Sequence, residues 1–227
     1  MSEPFVIAID GPAGAGKSTV AQKVAECLGL TYVDSGATYR AAALKVLEAG
    51  VPPEDEQAVS GLIGETEIQI TTDGIQPRIL LDGRDVTDKI RTPEVTLAAA
   101  KVSRLPEVRT KLVELQRGYA KGRGVVMEGR DIGTVVFPDA PLKIFLKADP
   151  EERARRRLGQ DIKEGRDATL EQTAYEIGRR DQLDAERKLS PLVPAEDATR
   201  IDSTLLTADQ VVERILELAR ERKLAEE

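Results

Sequence analysis

The chain has no histidine, no tryptophan and no asparagine, and its 227 residues include one cysteine and two methionines. Each absence excludes something. Without histidine, no imidazole can act as general acid, general base or metal ligand. Without tryptophan, no base can stack on an indole. The single cysteine, Cys27, rules out an intramolecular disulfide. Its place beside Leu28 on a helical stretch reads as a small core residue rather than a nucleophile. No apolar run reaches the length of a membrane helix. No basic segment leads into an apolar one at the start of the sequence, so a cytoplasmic protein without a secretory leader is expected. Positive charge is in the minority, 33 Lys and Arg against 40 Asp and Glu, for a net −7. That argues against polymeric nucleic acid as a partner. A small phosphorylated ligand stays open, because a local arginine cluster suffices, and arginine outnumbers lysine 21 to 12. Charged residues make up 32% of the chain, above the usual ~25%. With so few thermolabile side chains this composition predicts a thermostable protein; a melting midpoint in the ordinary mesophile range counts against it.

What is present begins with Gly11-Pro12-Ala13-Gly14-Ala15-Gly16-Lys17-Ser18, followed by Thr19. This is a complete G-x-x-x-x-G-K-[ST] phosphate loop. The apolar run Phe5-Val6-Ile7-Ala8-Ile9 before it suits a buried parallel strand, and Thr19 to Glu26 suits a helix. That strand–loop–helix setting is what the motif requires. The glycines let backbone N–H groups converge on a polyphosphate, and the helix N-terminus adds partial positive charge. Lys17 supplies a full charge to the β- and γ-phosphates, and the Ser18 hydroxyl is a ligand for Mg²⁺. Asp10 and Glu128 are candidates to support that metal through water.

Strands are predicted at Phe5–Asp10, Thr31–Asp34, Gly124–Glu128, Leu142–Leu146 and Thr199–Asp202. Helices are predicted at Lys17–Leu28, Thr38–Ala49, Pro93–Leu105, Pro106–Lys121, Pro150–Glu164, Leu170–Leu189 and Ala208–Leu224. The alternation predicts an α/β fold, a five-stranded parallel sheet with helices on both faces. Between about residues 65 and 88 the pattern changes. Two or three short alternating segments with turns at Asp73-Gly74 and Asp82-Gly83 read as a small antiparallel sheet inserted in the α/β frame.

In such a sheet, ligands bind at the carboxyl ends of the strands. Strand two ends in Asp34-Ser35-Gly36-Ala37-Thr38-Tyr39-Arg40, read as a Ser-Gly turn into a helix that carries Arg40. Strand three ends in Glu128-Gly129-Arg130-Asp131-Ile132-Gly133. There Arg130 can grip a phosphate and Asp131 can accept from an exocyclic amine, unless the two simply staple a turn to each other. Two later segments are arginine-rich. Arg153, Arg156 and Arg157 follow strand four, with Arg153 and Arg157 on one helical face. Arg180, Asp184 and Arg187 share a side at i, i+4, i+7. Salt bridges such as Glu152 with Arg156 are the bland alternative. The stretch from Leu158 to Thr169, with Gly159 and Gly165, reads as a mobile lid.

These motifs, with Ser190-Pro-Leu-Val-Pro-Ala-Glu-Asp197, together resemble the bacterial cytidylate kinases from Phe5 to about Arg220. The resemblance implies a P-loop kinase of one domain. Its core spans about 1–35, 122–150 and 171–227, its monophosphate-binding region about 36–121 and its lid about 151–170. It implies ATP as phosphoryl donor, Mg²⁺, and the small-molecule substrates CMP and dCMP, in a monomer. Gly11 to Thr19 with Arg156 and Arg157 would hold the nucleotide. Arg40 and Arg130 would hold the acceptor phosphate, in a strand-two motif that includes Ser35, Gly36 and Tyr39. Asp131, Arg109 and Arg187 would read the cytosine, with Ser103 matching a family serine. Arg180 and Asp184 would reach the sugar. Lys17, Arg130, Arg153, Arg157 and Arg180 would carry the transfer. The family often has a hydroxyl where Ala100 stands, so looser discrimination against UMP is expected.

An acceptor phosphate is already anionic at neutral pH and needs no general base, which a chain without histidine can meet by positioning and charge alone. A GTP-dependent switch is excluded, since its guanine-reading N-K-x-D motif needs asparagine. A P-loop kinase for UMP or another small anionic acceptor remains the alternative, and a non-catalytic nucleotide-binding scaffold is the third reading.

Overall fold

A computed structural model describes residues 5–71, 77–163, 165–187 and 189–224. The chain divides into two compact units, Met1–Thr31 with Gly122–Glu227, and Tyr32–Lys121. Along the chain run β1 (Val6–Asp10), α1 (Lys17–Leu28), β2 (Thr31–Asp34) and α2 (Ser35–Glu48). Next come α3 (Glu56–Glu65), β3 (Ile68–Thr71), β4 (Arg78–Leu81), β5 (Arg84–Asp85), α4 (Pro93–Val102) and α5 (Pro106–Gly118). The last are β6 (Val125–Gly129), β7 (Leu142–Lys147), α6 (Pro150–Lys163), α7 (Leu170–Ala185), β8 (Thr199–Asp202) and α8 (Ala208–Glu221). The five-stranded parallel sheet is ordered β2-β6-β1-β7-β8, with Val6 opposite Val125 and Ile7 opposite Leu142.

In the first unit β1, β6 and β7 are mostly apolar and buried, as strands covered on both faces are, whereas β8 at the sheet edge buries only Ile201. Ile7, Ala8, Ile9, Val125, Val126, Met127, Leu142 and Leu146 are fully buried. Gly11 has φ +152, and a Cβ there would lie 2.0 Å from the Leu146 carbonyl oxygen. Only glycine lets the phosphate loop pass β7 so closely. Helix α1 ends at Gly29, left-handed, whose N–H reaches the carbonyls of Ala25 and Glu26. Helix α8 opens on a Thr207–Gln210 capping box. It buries Val211, Val212, Ile215, Leu218 and Ala219 and packs on α1 and β7. Cys27 departs from expectation. It is exposed, because α1 buries the face of Val20, Ala21, Val24 and Ala25.

The second unit is held by small side chains. Ala41, Ala42 and Ala43 of α2 are all fully buried, so α2 is enclosed on every side. Ala98, Ala99 and Ala100 of α4, which packs on α2, are also buried. Helix α3 has no counterpart among the sequence expectations. Its signals are Asp55, whose carboxylate caps the Ala58 N–H at 3.0 Å, and the buried pair Val59 and Ile63. Lys111 closes its other end, donating to the carbonyls of Ile63, Gly64 and Thr66 at 2.7–2.8 Å. The small sheet is antiparallel, β3-β4-β5. Asp82 and Gly83 both have positive φ, the two-residue primed turn that joins β4 to β5. The turn read at Asp73-Gly74 lies outside the described residues.

Candidate active site

The phosphate loop runs from the end of β1 into α1. Helix α1 starts on left-handed Gly16 with no side-chain cap, whereas Asp34, Asp55, Thr92, Thr169 and Thr207 cap α2, α3, α4, α7 and α8. Its first-turn N–H groups are therefore not taken by a cap, the condition for an anion to bind there. Lys17 is buried, and its Nζ donates to the Pro12 carbonyl at 2.8 Å. Burial pushes its ammonium down to about 7, and Arg130 and Arg180 push the same way against Glu128 and Asp10. A polyphosphate relieves that strain by supplying the missing anion.

Around Lys17 the first unit gathers its arginines on one acid. Asp184 of α7 accepts from Arg130 Nε at 2.8 Å and also pairs with Arg187. Burial raises the Asp184 pKa, but Arg130, Arg187 and Arg180 together outweigh it and hold the carboxyl below its ordinary value. Arg130 thus pairs with Asp184 and not with its neighbour Asp131, the staple read as one option from sequence. Asp131 is buried and opens a π-helical turn, Ile132–Val136, a wide turn often found at functional sites.

Arg153 and Arg157 lie four residues apart on α6, as expected, and each is held by a different acid. Arg153 is 7% exposed and donates to the carbonyls of Ala13 (3.0 Å) and Ala148 (3.1 Å) and to Asp181. Asp181 in turn accepts the Ala13 N–H at 3.2 Å. Arg153 is therefore bonded to the backbone of the phosphate loop, because α6 starts beside it. Arg157 instead pairs with Asp161 at 3.1 Å. Arg156 pairs with Glu152 as the bland reading anticipated, and also reaches the Ser203 hydroxyl at 3.0 Å and carbonyl at 2.7 Å. Ser203, which also donates to the Ala15 carbonyl at 3.1 Å, and Asp181 were not found by sequence reasoning. The only local signal for Asp181 is its place next to Arg180. Asp10, read from the sequence as a support for Mg²⁺ through water, is engaged by the backbone. Its two oxygens accept the Ile132 and Gly133 N–H groups at 2.8 and 2.7 Å. Burial, only partly offset by those bonds, raises its pKa to about 6.

The second unit holds Ser35, Gly36, Tyr39, Arg40, Ser103 and Arg109. Ser35-Gly36 is no turn: α2 begins at Ser35, because the Asp34 carboxylate caps the Ala37 N–H at 3.1 Å. Arg40 folds back on the same carboxylate at 2.5 Å. A Cβ on Gly36 would lie 2.9 Å from Arg40 Nη1, so the missing side chain makes room for that pair. Arg109 sits 5.7 Å from the Tyr39 ring centre, a cation–π contact. It also donates to the Ser103 carbonyl at 3.3 Å, and the Ser103 hydroxyl donates to the Ala100 carbonyl at 3.1 Å.

A phosphate loop on the central strand of a β2-β6-β1-β7-β8 parallel sheet, with its lysine among arginines, defines a P-loop protein built to hold a polyphosphate. The family model for cytidylate kinase matches residues 7–221. The cytidylate kinase of Geobacillus kaustophilus is 50% identical over 222 residues, covering 98% of this chain and 99% of that protein. That of Pelotomaculum thermopropionicum is 52% identical, covering 92% and 93%, and that of Caldanaerobacter subterraneus 50%, covering 97% and 96%. The chain belongs to the cytidylate kinase family, and it is a nucleoside monophosphate kinase, a phosphotransferase. No described helix is long and apolar enough to cross a membrane.

Proposed function

We propose that this protein transfers the γ-phosphoryl group of ATP to CMP and dCMP, giving CDP or dCDP and ADP. The observation that carries the reading is the buried Lys17, in a phosphate loop, within the field of Arg130 and Arg180. An oxygen of the acceptor phosphate attacks the γ-phosphorus while the bond to the β,γ-bridging oxygen breaks. No proton has to leave the nucleophile, so no general base is needed, in keeping with a chain that lacks histidine. Lys17 and the arginines meet the charge of a loose, in-line transition state.

Arg40 and Arg130 are assigned to the acceptor phosphate. Asp131, Arg109, Arg187 and Ser103 are assigned to the base, and Arg180 and Asp184 to the sugar. Arg156 and Arg157 are assigned to the ATP phosphates. The donor set fits Mg²⁺. Among the described residues no three acidic, histidine or cysteine side chains cluster to hold a metal. Ser18, exposed on the first turn of α1, would be the protein ligand beside phosphate oxygens and water, the mode Mg²⁺ favours. When bound, the ion neutralises charge on the β- and γ-phosphates. A monomer in the cytoplasm is part of the same proposal.

The test is ADP release with ATP against a panel of acceptors: CMP, dCMP, UMP, other nucleoside monophosphates and shikimate. CMP and dCMP are expected to give the highest kcat/KM. ADP formed no faster with CMP than without it would leave a nucleotide-binding scaffold, and a different best acceptor would reassign the substrate.

A further inference from the structure

We infer that Asp10 is a positioning residue for Arg130 and Asp131: from the end of β1 its carboxylate holds, by two backbone N–H groups, the turn that follows β6. The inference rests on the reading that Arg130 and Asp131 serve the acceptor. Asp10 is 4% exposed. Oδ1 accepts the Ile132 N–H at 2.8 Å and Oδ2 accepts the Gly133 N–H at 2.7 Å. Both donors are amides, so only a side chain with two acceptor oxygens satisfies them. An amide side chain offers one acceptor and turns its own NH₂ against the second donor.

The turn is fixed at its other end as well. The Asp131 carbonyl accepts the N–H groups of Val135 at 2.9 Å and Val136 at 3.2 Å. Lys143 on β7 adds a third hold. Its Nζ donates to the Pro138 carbonyl and to Asp197 at 2.9 Å, and its stem passes beside Gly133. A Cβ on Gly133 would lie 3.2 Å from Lys143 Cδ and 3.4 Å from Asp10 Oδ2. The backbone at Gly133 thus lies against both the Asp10 carboxylate and the Lys143 stem. Arg130 and Asp131 stand at the start of this turn, so its backbone sets where their side chains begin. The hydrogen bonds of Asp10 reach them through that backbone, and its charge lies near those of Asp131 and Lys17 as well.

The same mechanism can be disturbed from two sides. Asp10→Asn removes one acceptor. Gly133→Ala keeps both Asp10 acceptors and crowds the turn against the Lys143 stem and the Asp10 carboxylate, without touching the phosphate loop. Each variant, once shown to melt cooperatively, is assayed in initial rates over a CMP series at saturating ATP. Binding of a fluorescent non-hydrolysable ATP analogue is measured separately with no acceptor present. The KM for CMP is expected to rise about tenfold in Asp10→Asn and about threefold in Gly133→Ala, as a displaced positioning contact requires. The Kd for the ATP analogue should stay within about twofold in Gly133→Ala, the variant that isolates the turn, because Asp10→Asn also removes a charge from the field of Lys17. If CMP and ATP-analogue parameters worsen together in Gly133→Ala, or the KM for CMP does not move in the folded variants, the inference is overturned. Should Asp10→Asn not fold, Gly133→Ala decides by the same split. An unaltered protein that makes no CMP-dependent ADP strikes the functional reading and this inference with it; an active parent with unmoved variants strikes this inference alone.

Discussion

The two units hold the arginines assigned to substrate differently. In the first, buried acids serve several groups at once: Asp184 gathers Arg130, 54 positions away, with Arg187 and Arg180, and Asp181 joins Arg153 to the Ala13 N–H. In the second, Arg40 is held by Asp34, six residues away and already engaged as a helix cap. Arg109 is held by a tyrosine ring and a nearby carbonyl. A shared acid makes the first unit's arginines interdependent, since losing one group leaves several buried charges unmatched. The Arg40 pair of the second unit is local, and that unit also buries the alanines of α2 and α4.

The largest effect should come from breaking the shared acid. Asp184→Ala leaves Arg130 and Arg187 buried without their carboxylate, which costs about 3–5 kcal/mol for a buried pair broken from one side. Urea unfolding of parent and variant measures it; a loss under about 1 kcal/mol would mean that the arginines re-pair readily and that the unit is not interdependent. The pH dependence carries the same signature. The folded Asp184 pKa lies below the ordinary 3.8. Its contribution is therefore present above that value and lost as pH falls through the folded pKa. The variant should lack this acid-side loss.

Next comes Lys17. Lys17→Met should lower kcat by at least about 10²-fold, close to 2.7 kcal/mol, the cost of one preorganised charge-stabilising donor. A near-normal kcat would remove it from the transfer. The depressed pKa makes a second prediction. At pH 8, above the value of about 7, the amine is mostly neutral before nucleotide binds. The incoming polyphosphate raises its pKa, so binding should take up about one proton. Calorimetry in buffers of different ionisation enthalpy reads this directly, and binding without proton uptake would place Lys17 fully charged in the free protein.

What could be read from sequence follows the same division by distance. The phosphate loop was legible because eight consecutive residues set its geometry, and the sheet strands because fully buried strands are continuous apolar runs. β2 and β8 fall where expected, β1 and β7 differ by a residue at one end, and β6 is shifted by a residue at both. The Arg130–Asp184 pair spans 54 positions and the Asp10–Ile132 bond 122. No local pattern marks such pairs, so neither the backbone bonds of Asp10 nor the role of Asp181 is legible in the sequence. Local competition explains two other departures. Ser35-Gly36 looks like a turn until the Asp34 cap is counted, and α3 is short, with Gly61 and Gly64 inside it. Cys27 was misplaced because beside Leu28 it looked like core, while the buried stripe of α1 runs through Val20, Ala21, Val24 and Ala25.

The second unit can be tested through its packing. Ala42 has no exposed surface on α2. Ala42→Leu adds three carbons where none fit and should cost about 1–3 kcal/mol. If stability rests there on tight alanine contacts, the loss appears in urea unfolding with little change in the KM for ATP, because the phosphate loop belongs to the other unit. An unchanged midpoint would show a cavity near α2 able to take the larger side chain.

The smallest effect concerns specificity. Ala100 is buried on α4 and its carbonyl already accepts the Ser103 hydroxyl. That hydroxyl has committed its proton, so it cannot also donate to a ligand carbonyl. Cytosine and uracil differ at C4, an amine against a carbonyl, and at N3, an acceptor against an N–H donor. A hydroxyl restored at position 100 would add one more hydrogen-bonding group. Ala100→Ser should therefore widen the kcat/KM ratio of CMP to UMP by about threefold to tenfold, the worth of one net hydrogen bond. A ratio that stays put would show that position 100 takes no part in the choice of base.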